Sequence, residues 1–380
     1  MTQYFHSGTP KNDAFQWLEN KCTDYRLFSI YNDYRKPVMR WLRDVKDGIE
    51  SIDAYLDRYP IERVKLLRAD ALRRHHQLEQ CDDRDFDTIE VLRSVGMASA
   101  RPRTIMLDSG AFTVWNAGKR VTIEEVVDAY AAFLDQAGDL FDQIWLINLD
   151  EIPGEPRRNG LKRETTREQM RGAAKVADRN LAILRERFGP VVLPVIHQPE
   201  GKERLKRVID QVAGNGNFIC ISPDNDEPER SRIEWAQGIR DMAQEIAPEV
   251  RLHGLATTGN AMTNGFGFYS VDSEAWFSHA RYGSLDLYES QEADYRYKGY
   301  HVSVERDAYD LATGKLIPWR KANYSNYSDE ERASIQERCE RYSFPFEMVQ
   351  WSARARSVIN MGELGCFLCW DGPRDLAQAA

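Results

Sequence analysis

The sequence has no apolar run approaching the roughly 20 residues that a bilayer-spanning helix needs, and its first residues, MTQYFHSGTPKNDAF, lack the basic-then-apolar layout of a secretion leader. Both absences lead us to expect a cytoplasmic protein with no membrane partner. Cysteine is sparse: Cys22, Cys81, Cys220, Cys339, Cys366 and Cys369 are scattered over 380 residues, which excludes a disulfide framework and points to reduced thiols. No glycine-rich phosphate loop follows the early strand-like runs, which argues against a dinucleotide-binding crossover. Positive charge is not in excess either. The formal net charge is −9, so the global balance does not advertise a polyanionic partner. There is no internal repeat and no low-complexity segment.

What the chain does have is a series of short apolar runs, each ending in polar residues. The stretch Thr104 to Phe112, TIMLDSGAF, is the most informative: an apolar run followed by a carboxylate, a hydroxyl, a glycine and an aromatic ring. Such a run fits a buried parallel strand, and its polar tail would emerge at the strand's C-terminal end, where α/β folds build their sites. Taken alone, a plain strand and Asp-Ser turn explains it equally well. Similar runs are LFSIYN, QIWLINLD, VVLPVIHQ, FICISP, RLHGLATTG, GFYSVDSEAW and YGSLDLY. Helical stretches alternate with them, around Gln169 to Arg187, Lys202 to Val212 and Ile233 to Ile246, and Thr122-x-x-Glu125 has the form of a capping box opening another.

About eight strands alternating with helices predict an α/β fold, a (β/α)8 TIM barrel rather than an open sheet. Val38, Trp41, Leu42, Val45, Ile49, Ile52 and Leu56 recur at helical spacing, so a helical insertion over 36–100 is expected after the first strand. The barrel domain is expected over 1–310. A C-terminal helical region over 311–380 follows, from SDEERASIQERCERY and FEMVQWSARARSVINM.

On that reading the strand ends bring Asp108, Asp150, His197 or Gln198, Ser222, His253 and Asp272 around one mouth, with Phe112 as an aromatic wall. Converging carboxylates can take different roles, because environment keeps one ionised and raises another into the acid range. Carboxylate sets of this kind break glycosidic bonds, where positive charge develops at the anomeric carbon and the leaving group needs a proton. Glycosyl chemistry is therefore expected.

These segments resemble the tRNA-guanine transglycosylase superfamily, and more closely its phage-associated, DNA-modifying branch, which exchanges guanine for a 7-deazaguanine base. The family's D-S-G-G-F-Q motif is similar to Asp108-Ser109-Gly110-Ala111-Phe112-Thr113, and its L-D-E motif to Leu149-Asp150-Glu151. V-Q-G-G falls on Val195-Ile196-His197-Gln198, where a one-residue shift decides which side chain takes the amide's place. L-M-G falls on Leu252-His253-Gly254. The family's nucleophile segment is similar to Val271-Asp272 through Ala280-Arg281-Tyr282-Gly283, with the same distance from the Asp to A-R-x-G. The resemblance covers Leu27 to Leu287.

It implies Asp272 as the nucleophile at C1′ of the nucleotide and Asp108 as a proton carrier that also binds the base. Asp150, Ser109, Ser222 and His197 or Gln198 would read the polar edge of the base. Phe112 and His253 would sandwich its ring, as suits a flipped-out base. The expected partners are DNA and a free deazapurine such as preQ0, in the host cytoplasm if the chain is phage-encoded.

Two departures separate the chain from the tRNA enzymes. It has no C-x-C-x-x-C zinc pattern after the nucleophile segment, and it lacks P-T-R after Asp272. Cys366-x-x-Cys369 with Cys339 is at most a partial substitute for a structural zinc site, and no cofactor is required. A local cluster after Asp150 holds Arg157, Arg158, Lys162, Arg163, Arg167 and Arg171 with only Glu164 and Glu168 opposing them. Arg157, Arg158, Lys162 and Arg163 are expected to contact the polynucleotide backbone, as is Arg281 through its place in the matched segment. The same cluster also suits a solvated helix face. The alternatives are base exchange on tRNA, a glycoside hydrolase barrel using the same carboxylates with water as acceptor, and a non-catalytic barrel that only binds nucleic acid.

Overall fold

The computed structural model describes residues 3–8, 23–31, 38–49, 51–61, 63–64, 103–154, 165–198, 200–212, 218–224, 227–257, 267–291, 294–303, 308–310, 315–317, 324–342 and 344–369. In chain order the first elements are β1 (Gln3–Ser7), β2 (Tyr25–Ser29), α1 (Met39–Lys46), α2 (Ile52–Arg58), β3 (Thr104–Asp108), α3 (Ala111–Asn116) and α4 (Ile123–Ala137). Then come β4 (Gln143–Ile147), α5 (Arg167–Phe188), β5 (Val192–Leu193), β6 (Val195–His197), α6 (Lys202–Val212), β7 (Phe218–Ser222), α7 (Glu229–Ile246), β8 (Arg251–Gly254) and β9 (Ser270–Ser273). The remainder is α8 (Ala275–Arg281), β10 (Ser284–Gln291), β11 (Asp294–His301), β12 (Ala308–Asp310), β13 (Lys315–Ile317), α9 (Asp329–Arg341), α10 (Phe346–Trp351) and α11 (Ala353–Cys369).

The chain divides into two compact units. The first combines 1–8, 25–35 and 103–273, and the second 9–24, 36–102 and 274–380. The first unit is a nearly closed parallel barrel of nine strands in the order β5-β4-β3-β2-β1-β9-β8-β7-β6. The two end strands, β5 and β6, are consecutive pieces of one run broken only at Pro194. Val192 pairs with Leu146 on one side, and Val195 with Cys220 on the other. Proline has no N–H for the ladder, but its carbonyl still accepts from the Cys220 N–H at 2.9 Å. The ring is therefore a TIM-like barrel with one proline-jointed member.

Its interior is packed, with Phe5, Leu27, Met106, Ile147, Leu193, Val195, Phe218 and Cys220 forming one buried cluster. These residues come from seven of the nine strands, as expected of a filled barrel core. The outer helices follow local signals. Thr122 and Glu125 form the expected reciprocal capping box at α4, and Thr166 and Gln169 form another at α5. On α6, Leu205, Val208, Ile209 and Val212 are buried at helical spacing.

Two strand assignments differ from the sequence expectation. YGSLDLY does not belong to the barrel: β10 pairs antiparallel with β11, from Ser284 opposite His301 to Gln291 opposite Asp294. The eighth barrel position is taken instead by QYFHS at the N-terminus, β1, which pairs in parallel with β2 and with β9. The helices α1 and α2 therefore follow the second strand rather than the first. β1 is buried on both faces and its sequence shows no alternation, whereas the sequence of β10 alternates although Leu285, Asp286 and Leu287 are all buried.

In the second unit, α8, β10 and α11 meet around Asn360, which is fully buried. Its carbonyl accepts the Asp286 N–H at 2.8 Å, and its amide donates to the carbonyls of Trp276 and Ser284 at 3.1 and 3.2 Å. The helices expected near the C-terminus form as α9, α10 and α11. Among the described residues no helix is long and apolar enough to cross a membrane.

Candidate active site

All the strands of the barrel run in parallel, so the polar residues that end them share its C-terminal mouth. Asp108 closes β3, and its Oδ2 accepts the N–H of Gly110 at 3.0 Å. Gly110 sits at φ 75°, and a Cβ there would lie 2.6 Å from the Cβ of Tyr31. Both facts require glycine. Ser109 is fully buried, and its Oγ finds no hydrogen-bond partner among the described residues. Burial pushes the Asp108 carboxyl up to about 7, with the charges of Asp150 and then Asp272 adding to it, while the Gly110 N–H and Ser29 pull the other way. Asp108 therefore senses both other carboxylates of the expected set.

The end of β4 is held from beneath. The buried hydroxyl of Tyr130 on α4 lies 2.6 Å from the Ile147 carbonyl and 3.0 Å from that of Leu107, bridging the two strands that carry Asp150 and Asp108. Asn148 and Asn180, both buried, donate to the carbonyls of Ala177 and Leu149 at 2.9 Å each. Asp150 then meets the imidazole Nε2 of His197 directly. The backbone N–H of His197 donates to Glu200 at 2.9 Å.

The two side chains between which the sequence left a choice have different partners. Gln198 is turned to other partners: its amide donates to Ser231 at 3.3 Å and its carbonyl accepts from the Asp224 N–H at 3.1 Å. His197 is thus the side chain beside Asp150, and Gln198 braces the loop after β7. Ser222 ends β7 half-buried, opposite His197 in register.

On the other side of the ring, Asp272 on β9 is buried, and its Oδ1 accepts the Ala256 N–H at 2.9 Å. Ala256 has φ 50°, a left-handed conformation that is costly for a residue with a Cβ. The Thr257 N–H also reaches the Asp272 carbonyl, at 3.0 Å. His253 on β8 is fully buried, with Nε2 3.3 Å from Asp272 Oδ1 and Nδ1 2.8 Å from the Ser270 hydroxyl.

Phe112 is 56% exposed, and its ring centroid is 5.9 Å from that of Trp115. A cavity of about 950 Å³ adjoins Asp150 between α3, α4 and α5, lined by Trp115, Lys119, Glu151 and Arg179 among others. Arg157, Arg158, Lys162 and Arg163 lie outside the described residues. Arg281 is exposed at the end of α8 in the second unit, its guanidinium 5.5 Å from the Phe277 ring.

Among the described residues no group of three or more His, Cys, Asp or Glu is placed to hold a metal ion. Cys339 is a buried free thiol, pushed up to about 12 mainly by burial. The side chains of Cys366 and Cys369 lie outside the described residues.

Two contributors escaped the sequence reading. Tyr130 looked like one more apolar position of an amphipathic helix, and its aromatic hydroxyl was the only available clue. Ala256 carried no signal, because alanine does not mark a left-handed turn. Comparison with protein-family models and with curated proteins finds no match.

Proposed function

We propose that the chain is a transglycosylase that exchanges guanine in DNA for a free 7-deazaguanine base through a glycosyl ester on Asp272. The observation that carries this reading is that Asp108, Asp150 and Asp272 all lie at the ends of parallel strands of one barrel, where burial and then the charges of Asp150 and Asp272 raise the Asp108 carboxyl to about 7. A group balanced near neutrality can give a proton in one half-reaction and take one back in the other.

In the first half, a carboxylate oxygen of Asp272 bonds to C1′. The C1′–N9 bond breaks, its electron pair leaves with guanine, and neutral Asp108 supplies the proton that guanine takes up. In the second half, ionised Asp108 accepts the N9 proton of the incoming base. N9 then bonds to C1′, and the ester bond returns its electrons to Asp272. Atoms and charge balance over the cycle, and no redox step or cofactor enters.

Asp150 with His197 offers acceptor and donor atoms to the polar edge of a purine-like base. Exposed Phe112 offers a stacking face. DNA is favoured over tRNA because the sequence lacks both the C-x-C pattern and the P-T-R segment of the tRNA enzymes.

The test is an exchange assay with labelled guanine on duplex DNA and on tRNA, alongside denaturing gels for a protein–DNA adduct. Exchange into DNA and an adduct that Asp272→Asn abolishes are expected. An adduct that survives Asp272→Asn sinks the nucleophile assignment, exchange into tRNA alone reassigns the substrate, and sugar release from oligosaccharides moves the chain to the hydrolases.

A further inference from the structure

The family resemblance makes His253 one wall of the base pocket, but its surroundings suit another task. We infer that His253 is a positioning residue for Asp272, with Ser270 selecting its tautomer, so that Oδ2 of Asp272 is the attacking oxygen. This rests on the proposed role of Asp272 as nucleophile.

His253 and Ser270 are both fully buried. The imidazole stands edge-to-face with Phe5 and Phe218, at centroid distances of 5.8 and 6.4 Å, and Phe5 and Phe218 belong to the core cluster of the barrel. A base cannot lie against this ring without displacing packed core.

The polar atoms of the ring are arranged in a line. Nδ1 is 2.8 Å from Ser270 Oγ, and Nε2 is 3.3 Å from Asp272 Oδ1. If Nδ1 carried the proton, the lone pair of Nε2 would face a carboxylate oxygen at that distance with the ring fully buried. The opposite tautomer removes this repulsion: the Ser270 hydroxyl donates to Nδ1, and the Nε2–H points toward Asp272. At 3.3 Å the N–H is not aligned for a full hydrogen bond, so it acts on the carboxylate mainly through its dipole.

Oδ1 of Asp272 then faces two donors, the strained Ala256 N–H at 2.9 Å and the imidazole N–H. Among the described residues no hydrogen bond engages Oδ2. The Ala256 hydrogen bond, reinforced by the imidazole dipole, orients the carboxylate and leaves the lone pairs of Oδ2 for C1′. When the ester forms, Oδ1 becomes its carbonyl oxygen and keeps the same donors. When the incoming base displaces the ester, those donors stabilise the returning charge.

Two measurements test this. Nitrogen NMR of the intact protein should show His253 protonated at Nε2 and bare at Nδ1, with the Nε2–H resonance shifted in Asp272→Asn. The Nδ1–H tautomer overturns the inference whatever the exchange assay gives.

In kinetics, His253→Phe keeps an aromatic ring but loses both nitrogens. Adduct formation and kcat should fall by about 100-fold, the scale for a misplaced reacting group, while KM for the free base stays near the wild-type value. Ser270→Ala, a smaller change at the same site, should lower kcat in the same direction and less steeply. A His253→Phe or Ser270→Ala enzyme with the wild-type kcat, or one whose base KM rises at constant kcat, overturns the inference in favour of a spacer or a base wall. An adduct that persists in Asp272→Asn strikes instead at the underlying reading, so the two failures are distinct.

Discussion

Burial, reinforced by Asp150 and then Asp272, pushes the Asp108 carboxyl to about 7, so at neutral pH it is divided between two protonation states. The folded protein binds this proton more tightly than the unfolded chain, whose aspartate titrates near 3.8. Stability contributed through Asp108 is therefore greatest below that value and is lost as pH rises to about 7, after which it levels off. At about 1.4 kcal/mol per pKa unit the loss is a few kcal/mol at most, and the solvent access that Asp108 keeps reduces it. Asp108→Asn should abolish exchange and should raise Tm relative to wild type by more at about pH 8 than at about pH 5. An offset that stays constant across pH contradicts this account. Gly110→Ala tests the backbone beside it. With φ 75° and a Cβ forced to 2.6 Å from Tyr31, it should cost about 1–3 kcal/mol in a denaturant titration. The positions of Asp108, Asp150 and Asp272 were readable because a carboxylate after an apolar run marks a strand end. The choice between His197 and Gln198 was not, because a one-residue step reverses the side of the strand.

Among the elements, α4 couples sequence-local and long-range information. Its start is set by a capping box that the sequence displays, while Tyr130, midway along it, spans β3 and β4 from beneath. Tyr130→Phe leaves the Leu107 and Ile147 carbonyls without that donor. It should cost about 1–3 kcal/mol in thermal unfolding, the range for a buried polar group left unmet. The exchange rate should fall as well, because the same hydroxyl sets the separation of the strands bearing Asp108 and Asp150. A normal exchange rate in the destabilised variant would confine Tyr130 to a structural role. Elements also show where periodicity misleads. The alternation in SLDLY is that of a hairpin, whereas QYFHS joins the barrel with four of its five residues buried.

For the molecule as a whole, a net charge of −9 coexists with the cationic stretch Arg157, Arg158, Lys162 and Arg163. If that stretch meets the phosphate backbone, DNA affinity should fall linearly with the logarithm of salt concentration. Replacing the four residues with alanine should flatten the slope by about 0.9 for each phosphate that is no longer neutralised. An unchanged slope in a salt titration would return the cluster to the role of a solvated face. The local features of this protein were set by sequence alone: apolar runs ending in carboxylates, capping boxes at helix starts, and a glycine where the turn after Asp108 needs one. Each depends on neighbours a few residues away. Only the tertiary structure decided that the N-terminal strand completes the barrel, that Ala256 is strained against Asp272, that His253 lies in the core, and that Asp108 is raised toward neutrality. Those outcomes depend on pairing, desolvation and charge between segments far apart in the chain, which no local pattern encodes.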